Sequence, residues 1–275
     1  MIAARFFRSS PLGGVCAVFL LLLASVAVMA ERLAPHNPLT ANYALTRNPP
    51  LGQRVLGTDH LGRDVLSRII FGARVTLIVA ISSVLLGDSI GFLWGVASGY
   101  LGGRVDLISQ RMLDVLMSLP ALILALLLMA GLGAGLSTVI IAIAVTRVPL
   151  STRVVRSMVL SVKELAYVEA AGALGASGAR VMTRHVAPQC LAPFLIITTG
   201  HLGAAIFIEA ALSFVGVGVP PPTPSWGNML GGVLAEAFKP PWWMVVFPGT
   251  AITVTILAVN LFGDALRDFL DPKLK

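Results

Sequence analysis

The polar segment from Tyr167 to Pro188 is where side chains suited to chemistry collect in this sequence. It carries Glu169, Arg180, Arg184 and His185 between two long apolar runs, in a chain of 275 residues that is 56% hydrophobic and 12% charged. Carboxylate, guanidinium and imidazole groups close together serve acid–base catalysis, metal binding or the recognition of a charged partner. The surrounding motifs decide among these uses.

Motifs for catalysis and for nucleotide binding are absent from the sequence. None of the four lysines follows a glycine, so the chain lacks the Gly-Lys of a phosphate-binding loop. It has no His-Glu-x-x-His helix and no Gly-x-Ser-x-Gly turn, and its four histidines are widely scattered. Cys16 and Cys190 fall in or beside apolar runs, which is typical of small buried groups rather than a disulfide or metal site. The sequence therefore predicts a non-catalytic chain with no metal site and no cofactor of its own.

Three acidic residues, Asp88, Glu209 and Asp264, lie within or near apolar runs. An ionised group in the middle of a bilayer costs about 2.5 kcal/mol or more, so these side chains should face the protein interior, a partner chain or water. We expect Asp88 to bond Ser82 or a neighbouring span, and Asp264 to form a helix-end cluster with Arg267. The alternative is a proton or ion relay, as in a secondary transporter.

Glu209 is the best candidate among these acids for a polar group that lines a passage. It lies one helical turn before Ser213 and Phe214, which mark the edge of the last outer loop. We therefore assign these three residues to the translocation pathway or to an outer gate.

The loop from 215 to 243 is rich in proline, glycine and tryptophan. Its segment from 220 to 230, which contains Trp226 and Asn228, is predicted to be a folded-back loop or short helix that partly plugs the outer mouth. We expect these two residues to contribute to an outer gate or to protein docking. Anchoring in the headgroup zone is the ordinary role of tryptophans near an interface.

The elements that hold these residues are membrane spans, because a mean hydropathy of +0.88 leaves too few polar groups to meet water. The sequence predicts an all-α integral membrane protein with six transmembrane helices. Glycines at 131, 133 and 135 separate the third and fourth spans as a tight hairpin. A cleaved signal peptide is the alternative for the first span, but its apolar run exceeds the ~7 to 15 residues of such signals. The predicted spans are 11–30, 75–99, 107–130, 136–156, 191–214 and 242–263.

The distribution of positive charge predicts that both termini face the cytoplasm. Most of the 20 Lys and Arg residues fall on that side, and the exceptions lie mainly in the long segment between the first two spans. The formal net charge of +7 then reports orientation against anionic lipid rather than binding of nucleic acid. We divide the chain into residues 1–72, with the first span and the outer segment, and a five-helix core over 73–275.

The outer segment is predicted to end in an amphipathic helix that lies at the membrane interface. In "GTDHLGRDVLSRIIFGAR" an apolar stripe includes Leu61, Val65 and Ile69, and Asp64 can pair with Arg68 four residues on. Packing against the bundle and contact with a partner are both open as its role.

On this orientation the polar segment lies in the cytoplasm, between spans four and five. Good helix formers predict a short helix from Lys163 to Leu174, and Gly175 with Gly178 would stop and turn the chain. Pro188 would mark the return to the membrane, with Pro193 close behind it.

The predicted short helix exposes small apolar residues beside acidic ones and so offers a docking surface for a protein. Its members are Ala170, Ala171 and Leu174, with Glu164 and Glu169 next to them. A loop helix that rests on lipid headgroups is the alternative.

The spacing within the segment resembles a known motif. It reads Glu-Ala-Ala, three residues, Gly175, nine residues and then His-Val-Ala-Pro, as in the EAA motif of bacterial ABC importer permeases. The usual ending is Ile, any residue, Leu, Pro, so the chain departs from it at His185 and Ala187. The Arg184-His185 pair is similar to the peptide and nickel subfamily.

Four further stretches resemble the C-type permeases of dipeptide, oligopeptide and nickel importers. They are "LGTDHLGRDVLSRIIFGARVTL", "GYLGGRVDLISQRMLDVLMSLP", "ALSFVGVGVPPPTPSWGNML" and "NLFGDALRDFLDPKLK". With the motif, they extend the resemblance over nearly the whole chain apart from the first 50 residues or so.

The resemblance implies a permease subunit of the bacterial cytoplasmic membrane, in an importer that moves short peptides by alternating access. It implies a heterodimer with a B-type permease, two cytoplasmic subunits that bind ATP and Mg, and a substrate-binding protein outside. A coupling helix within the loop 159–190 would receive the ATPase. A nickel or other peptide-like solute is the close alternative, and an ion-coupled secondary transporter is the rival. The implied coupling residues are Glu169, Ala170, Ala171, Leu174, Gly175, His185 and Pro188.

Overall fold

The computed structural model describes residues 6–7, 10–52, 54–236 and 239–270, and within them the regular elements are helices. A single 3-10 turn, Tyr43–Leu45, and a π-helical stretch, Met182–Val186, accompany the α-helices. The α-helices are α1 Pro11–Val28, α2 Ala30–Leu33, α3 Val65–Leu101, α4 Gly103–Met117, α5 Ala121–Leu132, α6 Leu136–Val162, α7 Ala166–Ala173, α8 Gly178–Val181, α9 Ala187–Phe214, α10 Trp226–Glu236 and α11 Trp242–Leu270.

Five helical stretches of the described chain are long and apolar enough to cross a membrane. They are α1, α3, α6, the continuous stretch Gly178–Phe214 and α11. Helices α4 and α5 pass the same test only together, and the chain bends by 86° between them. The prediction of a regular third span over 107–130 is therefore wrong in shape. Pro120 cannot donate a backbone hydrogen bond and disfavours helical geometry at the preceding residue, which explains the break.

The predicted hairpin between the third and fourth spans is present. Helix α5 ends at Leu132, and α6 begins at Leu136 after the short glycine-rich link.

Helix α3 begins outside the predicted span and runs on without a break. Asp64 caps it, with its carboxylate accepting from the Ser67 backbone N–H at 2.9 Å. Its 37 residues span about 55 Å, more than a ~30 Å hydrocarbon core requires. The prediction of a separate interfacial helix is thus wrong, because the capped start leads straight into the span. The expected Asp64–Arg68 pair is also absent: Arg68 Nε faces Asp59 Oδ2 at 3.6 Å instead.

Helices α3 and α6 form the most extensive helix pair of the described chain. Every fourth residue of α3 in this contact is a glycine, and a Cβ added there would strike the backbone or side chains of α6. The missing side chains let the two backbones approach closely, as in other membrane helix pairs. These glycines are Gly87, Gly91, Gly95 and Gly99. The main core cluster lies beside this pair and includes Val79, Ile143, Ile206 and Leu212, all nearly or fully buried.

Candidate functional site

The loop between α6 and α9 contains the short helix expected from the sequence. Helix α7 covers Ala166–Ala173, so it is shorter than the predicted 163–174. After it, Gly175 adopts φ of 87°, and the Ala176 N–H donates to the Ala171 carbonyl at 3.1 Å. This is the left-handed cap that glycine adopts without strain. Gly178 does not prolong the turn but starts α8.

The outer face of α7 carries the residues predicted to dock a partner. Glu169 lies in its first turn, where a negative charge is favoured, and Ala170 beside it is exposed. Ala171 is half-buried. Leu174 is 89% exposed, the highest value among the large apolar side chains of the described residues. An isolated exposed leucine is unremarkable, but here it stands at the tip of an ordered loop next to small residues.

The inner face of α7 fixes the loop to the bundle. Val168 is buried in a cluster with Val186 and Cys190, and that cluster also includes valines of α3 and α6. The Tyr167 hydroxyl donates to the His185 carbonyl at 3.3 Å. His185 therefore belongs to the support of α7 rather than to its exposed face. The contacts join the loop to the helix that follows it.

The prolines of this region do not mark a boundary. Pro188 and Pro193 both lie inside α9, and the stretch from Gly178 to Phe214 is helical throughout. The π-helical turn before α9 accommodates the loss of regular bonding, with the Ala187 N–H donating to the Met182 carbonyl. The helix that contains the predicted span 191–214 thus begins before residue 191, and the return to the membrane at Pro188 stays a prediction.

Glu209 is fully buried within the subunit. Its carboxylate accepts hydrogen bonds from the Thr76 hydroxyl at 3.2 Å and the Ser213 hydroxyl at 2.8 Å, and the Ser225 side chain bonds it as well. Ser213 in turn accepts from the Val219 N–H at 3.1 Å. In this conformation the acid joins α3, α9 and the outer loop. Its role in a pathway stays a prediction.

The outer loop folds back as a short helix, as the sequence indicates. Trp226 opens α10, is 1% exposed and donates from Nε1 to the Ile69 carbonyl at 3.0 Å. Asn228 closes the turn before it, accepting from the Ser225 N–H at 3.1 Å and donating to the Thr223 carbonyl at 2.7 Å. Phe214 is 43% exposed at the end of α9. The loop is thus bound to the N-terminal end of α3, whereas gating remains a prediction.

A polar cluster near the middle of the spans was only partly foreseen. Asp88, 1% exposed, bonds Ser151 at 2.5 Å and His201 at 2.9 Å, so of the two expected kinds of partner, Ser82 or a neighbouring span, it has the second. Arg147, one turn before Ser151, is 5% exposed. His201 and Arg147 were missed, although each is a charged or titratable side chain within an apolar stretch. The same feature, a charged side chain within an apolar stretch, distinguishes Asp88 in the sequence.

A groove of about 1070 Å³ opens between α9 and α11 towards the ends that carry Ala192 and Arg267. Asp264 and Arg267 both line it, on successive turns of α11. The two residues therefore lie near each other, as expected. No ion pair joins their side chains, both of which the structure describes.

Comparison with known proteins places these features in a family. The model of the binding-protein-dependent transport system inner membrane component matches residues 91–275. A di/tripeptide transport system permease protein of Pseudomonas aeruginosa is 41% identical over 270 residues, covering 96% of this chain and 88% of the relative. A glutathione transport system permease protein of Escherichia coli is 39% identical over 272 residues, with 98% and 89% covered.

Two further comparisons agree with these. A putative peptide transport system permease protein of Brucella suis is 40% identical over 258 residues, covering 94% of this chain and 86% of the relative. In fold, a chain of an inward-facing methionine ABC transporter matches with a TM-score of 0.62 and 18% identity, over 75% of this chain and 98% of that one. The apolar helices and these matches identify a multi-pass bacterial membrane protein, and the chain belongs to the family of binding-protein-dependent transport system inner membrane components.

Proposed function

We propose that this chain is the non-catalytic permease subunit of an ATP-driven importer of short peptides. The observation that carries the proposal is helix α7, whose exposed face holds Leu174 and Glu169 while its buried face is fixed to the bundle. Such a rigid, outward-facing helix is suited to receive force from a partner. The energy source is then ATP with Mg on two partner ATPases.

Short peptides are proposed as the solute because of the relatives. Three of them, 39–41% identical over nearly the whole chain, carry names that refer to peptides, di/tripeptides or glutathione. Glutathione is itself a small peptide-like solute, so these names share one chemical class. Nickel or another peptide-like solute is the second candidate, because the Arg184-His185 pair resembles a subfamily that includes both peptide and nickel importers.

The proposed assembly places a B-type permease beside this chain, the ATPases in the cytoplasm and a binding protein outside. Both termini and α7 would then be cytoplasmic, and α10 would lie on the side of the binding protein. Closure of the ATPases would move α7, and its contacts through Tyr167 and Val168 would carry that movement into α9. The spans would exchange between inward-facing and outward-facing packings, a two-state element biased by ATP.

The test uses Gly175→Pro, with Gly172→Ala as its matched control. Proline holds φ near −65° and cannot adopt the 87° of Gly175, so the cap of α7 should be lost. At Gly172, within α7, an added Cβ meets open space, and alanine is the better helix former by about 1 kcal/mol.

We expect Gly175→Pro to insert normally but to lose co-purification with the ATPases and ATP-dependent peptide uptake, while Gly172→Ala retains both. If the chain were an ion-coupled secondary transporter, neither substitution should change uptake. Full uptake by Gly175→Pro would contradict the proposed role of α7.

A further inference from the structure

Side chains of three different helices, Asp88, Ser151 and His201, meet near the middle of the spans, and Arg147 lies one turn before Ser151. Asp88 of α3 accepts from the Ser151 hydroxyl of α6 at 2.5 Å, and its two oxygens lie 3.0 and 2.9 Å from His201 Nδ1 of α9. Since a carboxylate only accepts, Nδ1 carries the hydrogen. Asp88 thus joins α9 to the tightly packed pair of α3 and α6.

Arg147 of α6 is the unexplained member of this cluster. Its Nε is buried and has no hydrogen-bond partner, and among the described residues no carboxylate lies within ion-pair distance of its guanidinium. Asp88 is the acid on the facing helix, held by Ser151 one helical turn after Arg147. A buried guanidinium without a carboxylate at ion-pair distance is costly, so its persistence calls for a partner in some state of the protein.

Helix α9 connects this cluster to the cytoplasmic loop. It continues without a break from α8 and the π-helical turn, against which Tyr167 and Val168 of the loop pack. A movement of α7 would therefore draw His201 away from Asp88. The carboxylate would then lose a partner in a region where a lone charge is unfavourable.

We propose that Asp88 exchanges partners during transport, from His201 in the conformation described here to Arg147 when α9 moves. The exchange rests on the proposed function, because it supposes that α7 is moved by ATPases. It keeps the acid paired in both states and accounts for the unpaired guanidinium. Asp88, His201 and Arg147 are then positioning residues that set the balance between two packings of the spans.

The native Cys190 reports on the first state. It is fully buried in a cluster that also includes Val96 of α3 and Val155 of α6, so separation of α9 from these helices should expose its thiol. The chain has only two cysteines, and Cys16→Ala leaves Cys190 as its single thiol. The experiment measures the rate at which N-ethylmaleimide modifies Cys190 in the complete transporter in lipid nanodiscs. The rate is followed on this subunit by mass spectrometry, without nucleotide and with ATP and vanadate.

His201→Leu removes the partner that Asp88 has in the conformation described here. In the absence of nucleotide it should raise the rate of Cys190 modification by about tenfold or more, as expected when a hydrogen bond to a charged group is removed. His201→Gln keeps a donor and should stay near the original rate. Arg147→Gln should leave the rate without nucleotide unchanged and abolish the increase caused by ATP and vanadate.

The decisive arm adds Asp88→Asn to each variant. If the exchange is correct, His201→Leu and Arg147→Gln change the rate less than about twofold once the charge is gone, a non-additivity that independent packing defects would not show. Effects that persist in the Asp88→Asn background, or effects of the same sign for both variants, would overturn the exchange. Failure of the unmodified chain to assemble with ATPases would instead overturn the proposed function.

Discussion

At the scale of single residues, the structure shows that several polar groups within the spans act as contacts between helices. Glu209 accepts from hydroxyls on α3, α9 and the outer loop, and Asp88 accepts from α6 and α9. In hydrocarbon each such group must find its partners inside the protein. Whether Glu209 also takes part in transport is a separate question that substitution can answer.

Glu209→Gln should leave uptake almost unchanged if the acid only joins helices, because the amide still accepts a hydroxyl hydrogen and still fills the site. Glu209→Leu should lower stability by roughly 1–3 kcal/mol, because it leaves buried hydroxyls unpaired. Thermal unfolding of the purified protein and uptake by the same variants check both. Loss of uptake with normal stability in Glu209→Gln would instead support the ion-coupled rival.

Trp226 is the largest of the most deeply buried side chains, so its truncation should be severe. We expect Trp226→Ala to destabilise the protein by about 3–5 kcal/mol through the cavity it leaves. Trp226→Phe should cost less, because it loses the bond to the Ile69 carbonyl but keeps most of the packing. The midpoint of thermal unfolding in detergent separates the two variants. Unchanged uptake by stable Trp226→Phe would limit the tryptophan to a structural role.

At the scale of elements, the glycine stripe of α3 determines how closely α3 and α6 can pack. A side chain at Gly91 would meet Ser151 and the backbone of α6, whereas one at Gly131 of α5 meets open space. The stripe therefore also brings Asp88 within reach of Ser151. Its geometry belongs to the pair and is not a property of either helix alone.

Gly91→Leu should separate the two helices and cost about 1–3 kcal/mol or more by overpacking, with reduced yield of folded protein. Gly131→Leu, the matched control, also introduces a leucine into a helix but has room for it. Size-exclusion profiles and unfolding midpoints of both variants provide the measurement. Equal behaviour of the two would contradict the close approach seen here.

At the scale of the whole molecule, the proposal depends on the side of the membrane that each loop faces. The outer segment and α7 must lie on opposite sides for a binding protein and ATPases to reach them. Exposed Gly52 and Gly172 mark the two regions, and a side chain at either one meets open space.

Single cysteines at these positions, in a chain with Cys16 and Cys190 replaced, should react differently with an impermeant maleimide. We expect the Gly52→Cys variant to be labelled on intact cells from outside and the Gly172→Cys variant only after the membrane is opened. A reporter fused after Arg267 should likewise appear in the cytoplasm. Labelling of Gly172→Cys on intact cells would remove the basis for ATPase docking.

Much of this protein could be predicted from the order of its residues alone. Apolar runs must cross the bilayer as helices, and the hairpin between Leu132 and Leu136 follows from glycines in a run too long for one span. The family resemblance, carried by the motif around Gly175 and by four further stretches, is confirmed by the comparisons. Patterns such as these involve only a few neighbouring residues, so they can be recognised without knowing how the helices pack.

The tertiary structure determined which side chains of distant segments contact one another. Asp88 was expected to bond Ser82 or a neighbouring span, and its partners do come from neighbouring helices, α6 and α9, 63 and 113 positions away in sequence. Which residues they are follows only from the fold. Pro188 lies in the first turn of α9, which continues directly from the π-helical turn before it. Sequence thus determined which segments enter the membrane, whereas contacts between distant segments depend on how closely the helices approach, and only the folded bundle sets that distance.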